Sequence, residues 1–298
     1  MAYPKIAGII PPMITPFREN GQVDYNAFVR NIERWNKTPL GGYLVLGSNS
    51  EAAFLSEKEK LKLIELTVRF AKRGRTIIAG TGLESTRETI QLTNKAARSG
   101  VHAALVLTPF FYGEQINDKA LIHHFTEVAD ATDIPILIYN VPKFTHINIS
   151  AAAVKVLSKH PNIIGMKDSK GDVTQLRAFL KVVPQKFNLI VGTASILYPA
   201  LTLGIRAGIL ALANCAPNQC AVVQMLCDAG SVQKARKLQA LMLPVNTAAT
   251  VAYGVAGLKY ASTLMGYEGG YTRSPLLQLD EKAKMVIRQA MERADILP

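Results

Sequence analysis

The stretch "NIIGMKDS", residues 162–169, decides the fold. Two isoleucines, a glycine and a methionine run together without polar alternation. That pattern marks a strand covered on both faces. The same design recurs eight times. The runs are "KIAGIIPPMITPF" (5–17), "GGYLVLGS" (41–48), "RTIIAGTG" (75–82), "AALVLTPF" (103–110), "IPILIYNV" (134–141), "NIIGMKDS" (162–169), "NLIVGTAS" (188–195) and "AGILALANC" (207–215). Between them lie helical patterns such as "SEKEKLKLIELTVRFAKR" (56–73), "STRETIQLTNKAARSG" (85–100) and "NDKALIHHFTEVADATD" (117–133), with apolar residues three and four apart. The repeat of about thirty residues is one strand plus one crossover helix. Eight such units predict an α/β fold, a (β/α)8 TIM barrel. A doubly wound open sheet is the rival. Its phosphate fingerprint is missing, because "GTGLES" (80–85) lacks the third glycine of GxGxxG and reads as a strand-end turn.

The barrel is expected over residues 1–216. Residues 217–298 are expected to hold its last helix and a helical C-terminal extension. The helical patterns there are 218–230, 232–250, 254–266 and 280–296. With 298 residues, 49% of them hydrophobic, the chain has ample material for one large core. The apolar stretch 196–216 is broken by Pro199, Gly204, Arg206 and Gly208, so it reads as a helix and a strand, not a membrane span. The start, "MAYPKIAGII", lacks the basic and apolar regions of a signal peptide, so a cytoplasmic location is expected, with an organelle matrix left open. The net charge of +12 is scattered, not gathered on one face, which argues against nucleic acid and suits anionic substrates. Cys215, Cys220 and Cys227 fit no zinc spacing and read as small core residues, and the five histidines include no HExxH, so no metal is expected.

Lys167 stands at the C-terminal end of the sixth run, where barrels of this kind do their chemistry. Burying an ammonium is costly unless it is paired or deprotonated. A lysine amine freed of its proton attacks ketones and forms a Schiff base. Position alone equally fits a lysine snorkelling at the strand mouth or paired with Asp168. Tyr139 ends the fifth run at the equivalent place, where a phenol can shuttle protons for the carbinolamine or simply pack at the barrel top. "GSNSE" (47–51) follows the second run. Its small polar residues suit an anion-binding turn, in which Ser48 and Asn49 add donors to a keto acid's carboxylate, and they equally suit a helix N-cap.

Taken together, "GSNSE", "YNVP" (139–142) and "GMK" (165–167) resemble the dihydrodipicolinate synthase/N-acetylneuraminate lyase superfamily of class I pyruvate aldolases, and the likeness covers nearly the whole chain. The resemblance implies that Lys167 forms the Schiff base with pyruvate, that Tyr139 transfers protons, and that Ser48 and Asn49 hold the carboxylate. It further implies substrate contacts from Ser169, Asn214 and Gly192, a small-molecule keto acid as partner, no cofactor, and a homotetramer built as a dimer of dimers. "HPNIIGMKDSKGDVTQL" (160–176), "ALANC", "AGLKYASTLMGYEGG" (256–270) and "ALIHHF" (120–125) resemble 4-hydroxy-2-oxoglutarate aldolase most.

The function expected from this is cleavage of a 4-hydroxy-2-keto acid, such as 4-hydroxy-2-oxoglutarate or a 3-deoxy-2-keto sugar acid, to pyruvate and an aldehyde. Condensation of pyruvate with aspartate semialdehyde by a 4-hydroxy-tetrahydrodipicolinate synthase is the alternative, and a non-catalytic keto-acid binder a further one. Three departures from the family pattern bear on the choice. Phe144 replaces the arginine two residues after the "YNVP" proline, Phe111 stands where a relay tyrosine is usual, and Ser50 replaces the second glycine of GxxGE.

Overall fold

In the computed structural model, which describes residues 5–297, each of the eight apolar runs contains a strand. The strands are β1 (Gly8–Ile10), β2 (Gly42–Val45), β3 (Thr76–Gly80), β4 (Ala103–Leu107), β5 (Ile136–Asn140), β6 (Ile163–Asp168), β7 (Asn188–Val191) and β8 (Ala207–Ile209). They form one sheet in the order β1-β8-β7-β6-β5-β4-β3-β2. β1 and β2 stand at the two ends of that order. They are joined by Gly41 N to Ile9 O (2.8 Å), Leu44 N to Pro11 O (3.1 Å) and Met13 N to Leu44 O (2.9 Å). The fold is the eight-stranded parallel (β/α)8 barrel.

The helices are α1 (Tyr25–Trp35), α2 (Glu57–Phe70), α3 (Thr86–Arg98), α4 (Asp118–Asp130), α5 (Pro142–Thr145), α6 (Ala151–Leu157), α7 (Val173–Leu180), α8 (Leu197–Thr202), α9 (Pro217–Asp228), α10 (Val232–Asn246), α11 (Gly254–Leu264) and α12 (Glu281–Arg293). Their starts follow from local chemistry. Asp24, Ser56, Ser85, Asn117, Ser150, Asp172 and Asp280 each accept a hydrogen bond from an amide of the first turn. α4 buries Leu121, His124, Phe125, Val128 and Ala129, the stripe that a 3.6-residue period puts on one face. The pattern at 232–250 predicts one helix. Instead the α-helix stops at Asn246 and widens into a π-helix, Thr247–Ala252. Pro244 lies just before the change, inside the helix, where it lacks the N–H that would bond the carbonyl one turn back.

The chain resolves into two compact units. The first, Thr76–Ile209 with the segment before Gly8, carries β3 to β8 and α3 to α8. All five residues of β5 and all six of β6 are buried, Lys167 among them. The second, Gly8–Arg75 with the chain from Leu210 onward, carries β1, β2, α1, α2 and α9 to α12. There Trp35 is fully buried, donates from Nε1 to the Asn214 carbonyl (3.1 Å) and stacks on Tyr267, ring centroids 5.5 Å apart. Cys215 and Cys220 are buried free thiols, and burial pushes the Cys215 thiol up to about 12. Among the described residues no helix is long and apolar enough to cross a membrane, and no group of three or more His, Cys, Asp or Glu is placed to hold a metal ion.

Candidate active site

In the first unit β5 and β6 run parallel with Tyr139 opposite Lys167 and Asn140 opposite Asp168. Side chains alternate along strands, so residues paired in register share a face. Tyr139 and Lys167 therefore emerge together, and the Lys167 Nζ lies 4.1 Å from the Tyr139 ring centroid. Both are buried, at 6% and 2% exposure. Lys167 has no ion pair among the described residues. The pairing with Asp168 that position alone left open does not occur, because Asp168 faces the other way. Its Oδ1 accepts from Asn140 Nδ2 (2.6 Å) and Gln175 Nε2 (3.0 Å). Burial holds the Asp168 carboxyl above its ordinary value, against the opposing pull of those amides and of the Lys170 charge. The Asn140–Asp168 bond ties β5 to β6 one residue beyond Tyr139 and Lys167, so it fixes the register of both.

Two glycines let these strand ends approach. A Cβ on Gly165 would lie 2.3 Å from the Asn188 carbonyl oxygen, and one on Gly192 would lie 2.0 Å from the Ser169 Oγ. Ser169 is half-buried and donates to the Gly192 carbonyl (3.4 Å), while the Gly192 amide donates to the Asp168 carbonyl (2.7 Å). The structure thus brings together Tyr139 with Lys167, and Ser169 with Gly192.

After β5, the single turn of α5 carries Lys143 and Phe144. Both are exposed, and the Lys143 Nζ stands 5.8 Å from the Phe144 ring centroid, so a cation remains beside the position where the family has arginine. After β4, Phe111 is 73% exposed and packs edge-to-face on exposed Tyr112 at 5.1 Å. Glu84 pins this loop, its Oε2 accepting from the Phe110 and Phe111 amides (2.9 and 2.8 Å). The "GTGLES" turn therefore anchors a loop. Its Gly82 is needed because a Cβ there would meet the Leu107 amide nitrogen at 2.2 Å.

In the second unit, Ser48, Asn49 and Ser50 form a single 3-10 turn after β2. Ser48 and Asn49 are half-buried at its head. The N-cap role expected as one reading of this stretch falls instead to Ser56, which forms a capping box with Glu59. Ser50 is not strained. Its hydroxyl donates to the Met13 carbonyl (2.6 Å), and the left-handed residue is Glu51 at φ 55. Asn214 is fully buried. Its amide donates to the Pro12 and Ala211 carbonyls (3.1 and 2.9 Å) and its oxygen accepts from the Ile14 amide (3.1 Å), so it braces the segment after β1.

The residues that sequence patterns did not single out are those that hold Glu51, at the end of this turn. Glu51 is buried, and its Oε1 pairs with the Lys259 Nζ at 2.5 Å while its Oε2 accepts from the Arg273 amide (2.8 Å). A lysine inside the apolar pattern "GLKYAS" of α11 was the available signal.

The dihydrodipicolinate synthetase family model matches residues 5–294. The chain is 34% identical over 290 residues to a 4-hydroxy-tetrahydrodipicolinate synthase of Acidiphilium cryptum, covering 97% of this chain and 99% of that protein. It is 32% identical to one of Methanothrix thermoacetophila, covering 96% of each. A solved structure, a chloride-inhibited dihydrodipicolinate synthase from Acinetobacter baumannii complexed with pyruvate, superposes with a TM-score of 0.93 at 30% identity, covering 98% of this chain and all of that one. These relatives overturn the cleavage of a 4-hydroxy-2-keto acid expected above, and favour the condensation set beside it as the alternative. The protein is an enzyme of the carbon–carbon lyase class. With its model matched from residue 5 to residue 294, the chain belongs to the dihydrodipicolinate synthetase family.

Proposed function

We propose that this enzyme condenses pyruvate with an aldehyde that carries a carboxylate, aspartate semialdehyde being the substrate of the synthase reading. The observation that carries the Schiff-base chemistry is the buried cross-strand pair of Tyr139 and Lys167, with its amine free of any carboxylate among the described residues, and the likeness to synthases favours condensation over cleavage. The amine of Lys167, on giving up its proton, adds to the pyruvate ketone carbon. The carbinolamine takes a proton on its hydroxyl, loses water and becomes an iminium ion. That cation draws electrons from the adjacent methyl group, which gives up a proton and leaves an enamine. The enamine carbon attacks the aldehyde, the new alkoxide takes a proton, and attack on the regenerated iminium carbon by water or by the product's own amine breaks the C–N bond and frees Lys167. Tyr139, whose ring lies against the Lys167 amine, is assigned the proton transfers at the hydroxyl and the alkoxide.

Ser48 and Asn49 are assigned to the keto-acid carboxylate, and Ser169 and Gly192 to the distal part of the substrate. Lys143 takes the place of the missing arginine as the cation for the second carboxylate. Lysine offers that group a point charge, without the two-pronged grip of a guanidinium. The exposed aromatic loop at Phe110–Tyr112 is assigned to subunit contact in the tetramer that the family likeness implies.

The test has two arms. Pyruvate with borohydride is expected to leave an irreversible adduct on Lys167. Pyruvate with aspartate semialdehyde, coupled to a dihydrodipicolinate reductase, is expected to oxidise the reductase's nicotinamide. An unmodified Lys167 removes the Schiff base, and a silent coupled assay with an intact adduct removes the semialdehyde.

A further inference from the structure

We infer that Lys259 is a positioning residue: through its ion pair with Glu51 it sets the Ser48–Ser50 turn for the keto-acid carboxylate. The inference rests on the reading that this turn holds that carboxylate.

The geometry is specific. Glu51 immediately follows the turn and adopts left-handed backbone, a conformation unfavourable for a residue with a Cβ and retained only where the surroundings enforce it. Three bonds enforce it here. The Glu51 amide donates to the Ser48 carbonyl (3.2 Å), its Oε1 meets the Lys259 Nζ and its Oε2 accepts from the Arg273 amide. Both partners are themselves held. Lys259 is 2% exposed, donates to the Tyr271 carbonyl (2.5 Å) and lies 4.5 Å from the Phe17 ring centroid. Arg273 covers the same ring at 4.3 Å and grips Glu59 through two nitrogens at 2.6 and 2.9 Å. Gly270 and Gly269 allow this packing, since a Cβ on either would lie within 3 Å of the Phe17 or Lys259 backbone.

A buried ion pair is weak evidence for stability, because both charges must be desolvated. Its directional value is another matter: it holds a backbone conformation that the residue would not adopt alone. Lys259 can also lose its charge at mildly alkaline pH. Burial pulls the amine down to about 8, against the opposing pull of Glu51, with Arg273 adding to the fall. The other ionisable groups about it are Glu59 across Arg273, Tyr25 beside that guanidinium, and Tyr260 and Lys284 on a cavity of about 220 Å3 that Lys259 also lines.

The experiment measures the pyruvate concentration that half-saturates borohydride trapping, at pH 7 and pH 9, in the full-length protein. In the wild type it should rise between those values as Lys259 loses its proton. In Lys259→Met it should already be high at pH 7, by roughly ten- to a hundredfold, and flat with pH. Lys259→Arg, which keeps its charge throughout, should restore low values at both. The maximal trapping rate should change far less than the half-saturation. If Lys259→Met does not fold, the wild-type profile against that of Lys259→Arg carries the test, and two identical profiles overturn the inference. Ser48→Ala and Asn49→Ala separate the two levels. If both leave the half-saturation unchanged, the carboxylate reading fails and this inference with it. If they raise it while Lys259→Met does not, only the role of Lys259 fails.

Discussion

Lys167 and Lys259 are both 2% exposed, yet their surroundings are opposite. Lys259 sits in the second unit with a carboxylate, a carbonyl and an aromatic face around its nitrogen. Lys167 sits in the first unit beside a phenol ring, with no ion pair among the described residues, although Asp168 is its neighbour in sequence. Strand alternation turns that carboxylate away and spends it on Asn140 and Gln175. Under the proposed function, burial by itself does not distinguish a reactive lysine from a structural one. What surrounds the nitrogen does.

The contrast can be broken most directly at Lys167. Lys167→Met should abolish borohydride trapping and lower the condensation rate by about 10³-fold or more. It should leave the fold as stable as the wild type, or more stable by about 1 kcal/mol, since an unpaired amine is replaced by an apolar chain of similar length. Urea titration checks this. A loss as large as that in Lys259→Met would erase the difference between the two lysines. Lys167→Arg should be as inactive as Lys167→Met, because a guanidinium keeps its proton.

Lys259→Met should cost about 3–5 kcal/mol, because it strands the Glu51 carboxylate in the interior. Adding Glu51→Gln should recover part of that loss, and the double-mutant cycle measures the coupling. Tyr139→Phe should slow turnover by about 10²-fold while leaving Lys167 able to be trapped, as expected if the phenol moves protons and does not form the covalent bond. Asn140→Ala should cost about 1–3 kcal/mol, since it leaves the buried Asp168 carboxylate short of a donor.

The smallest effect is a pH dependence with a sign of its own. The Lys259 amine is held near 8 in the folded protein and stands near 10.5 when free. Between those values the unfolded chain binds the extra proton, so this group makes unfolding harder as pH rises through the window. Pyruvate binding should weaken between pH 7 and 9, where Lys259 of the folded protein loses its charge and its hold on Glu51. Chemical denaturation at pH 8 and 9.5, with Lys259→Met as the reference lacking this titration, reads the sign.

Much of the site was legible in the chain. Eight apolar runs at a constant spacing require a covered parallel sheet, and the end of a strand in such a barrel is where a lysine earns suspicion. The pairing of Tyr139 with Lys167 followed from equivalent places in adjacent units, and "YNVP" with "GMK" carried the family. The choice between cleavage and condensation was not legible, because both reactions share the iminium and differ only in what the rest of the pocket accepts. The likeness of the whole chain to synthases overturned the cleavage that the local motifs suggested.

What the amino-acid order determined by itself was periodic or local: the strand count, and the lysine and the phenol at strand ends. What only the tertiary structure decided was partnership at long range. Glu51 meets Lys259 and Arg273 across more than two hundred residues, and Asp168 turns from its own neighbour to Asn140 and Gln175. Period and propensity act within a turn or a strand, whereas which charge finds which counter-charge depends on how distant segments pack, and no local pattern encodes that.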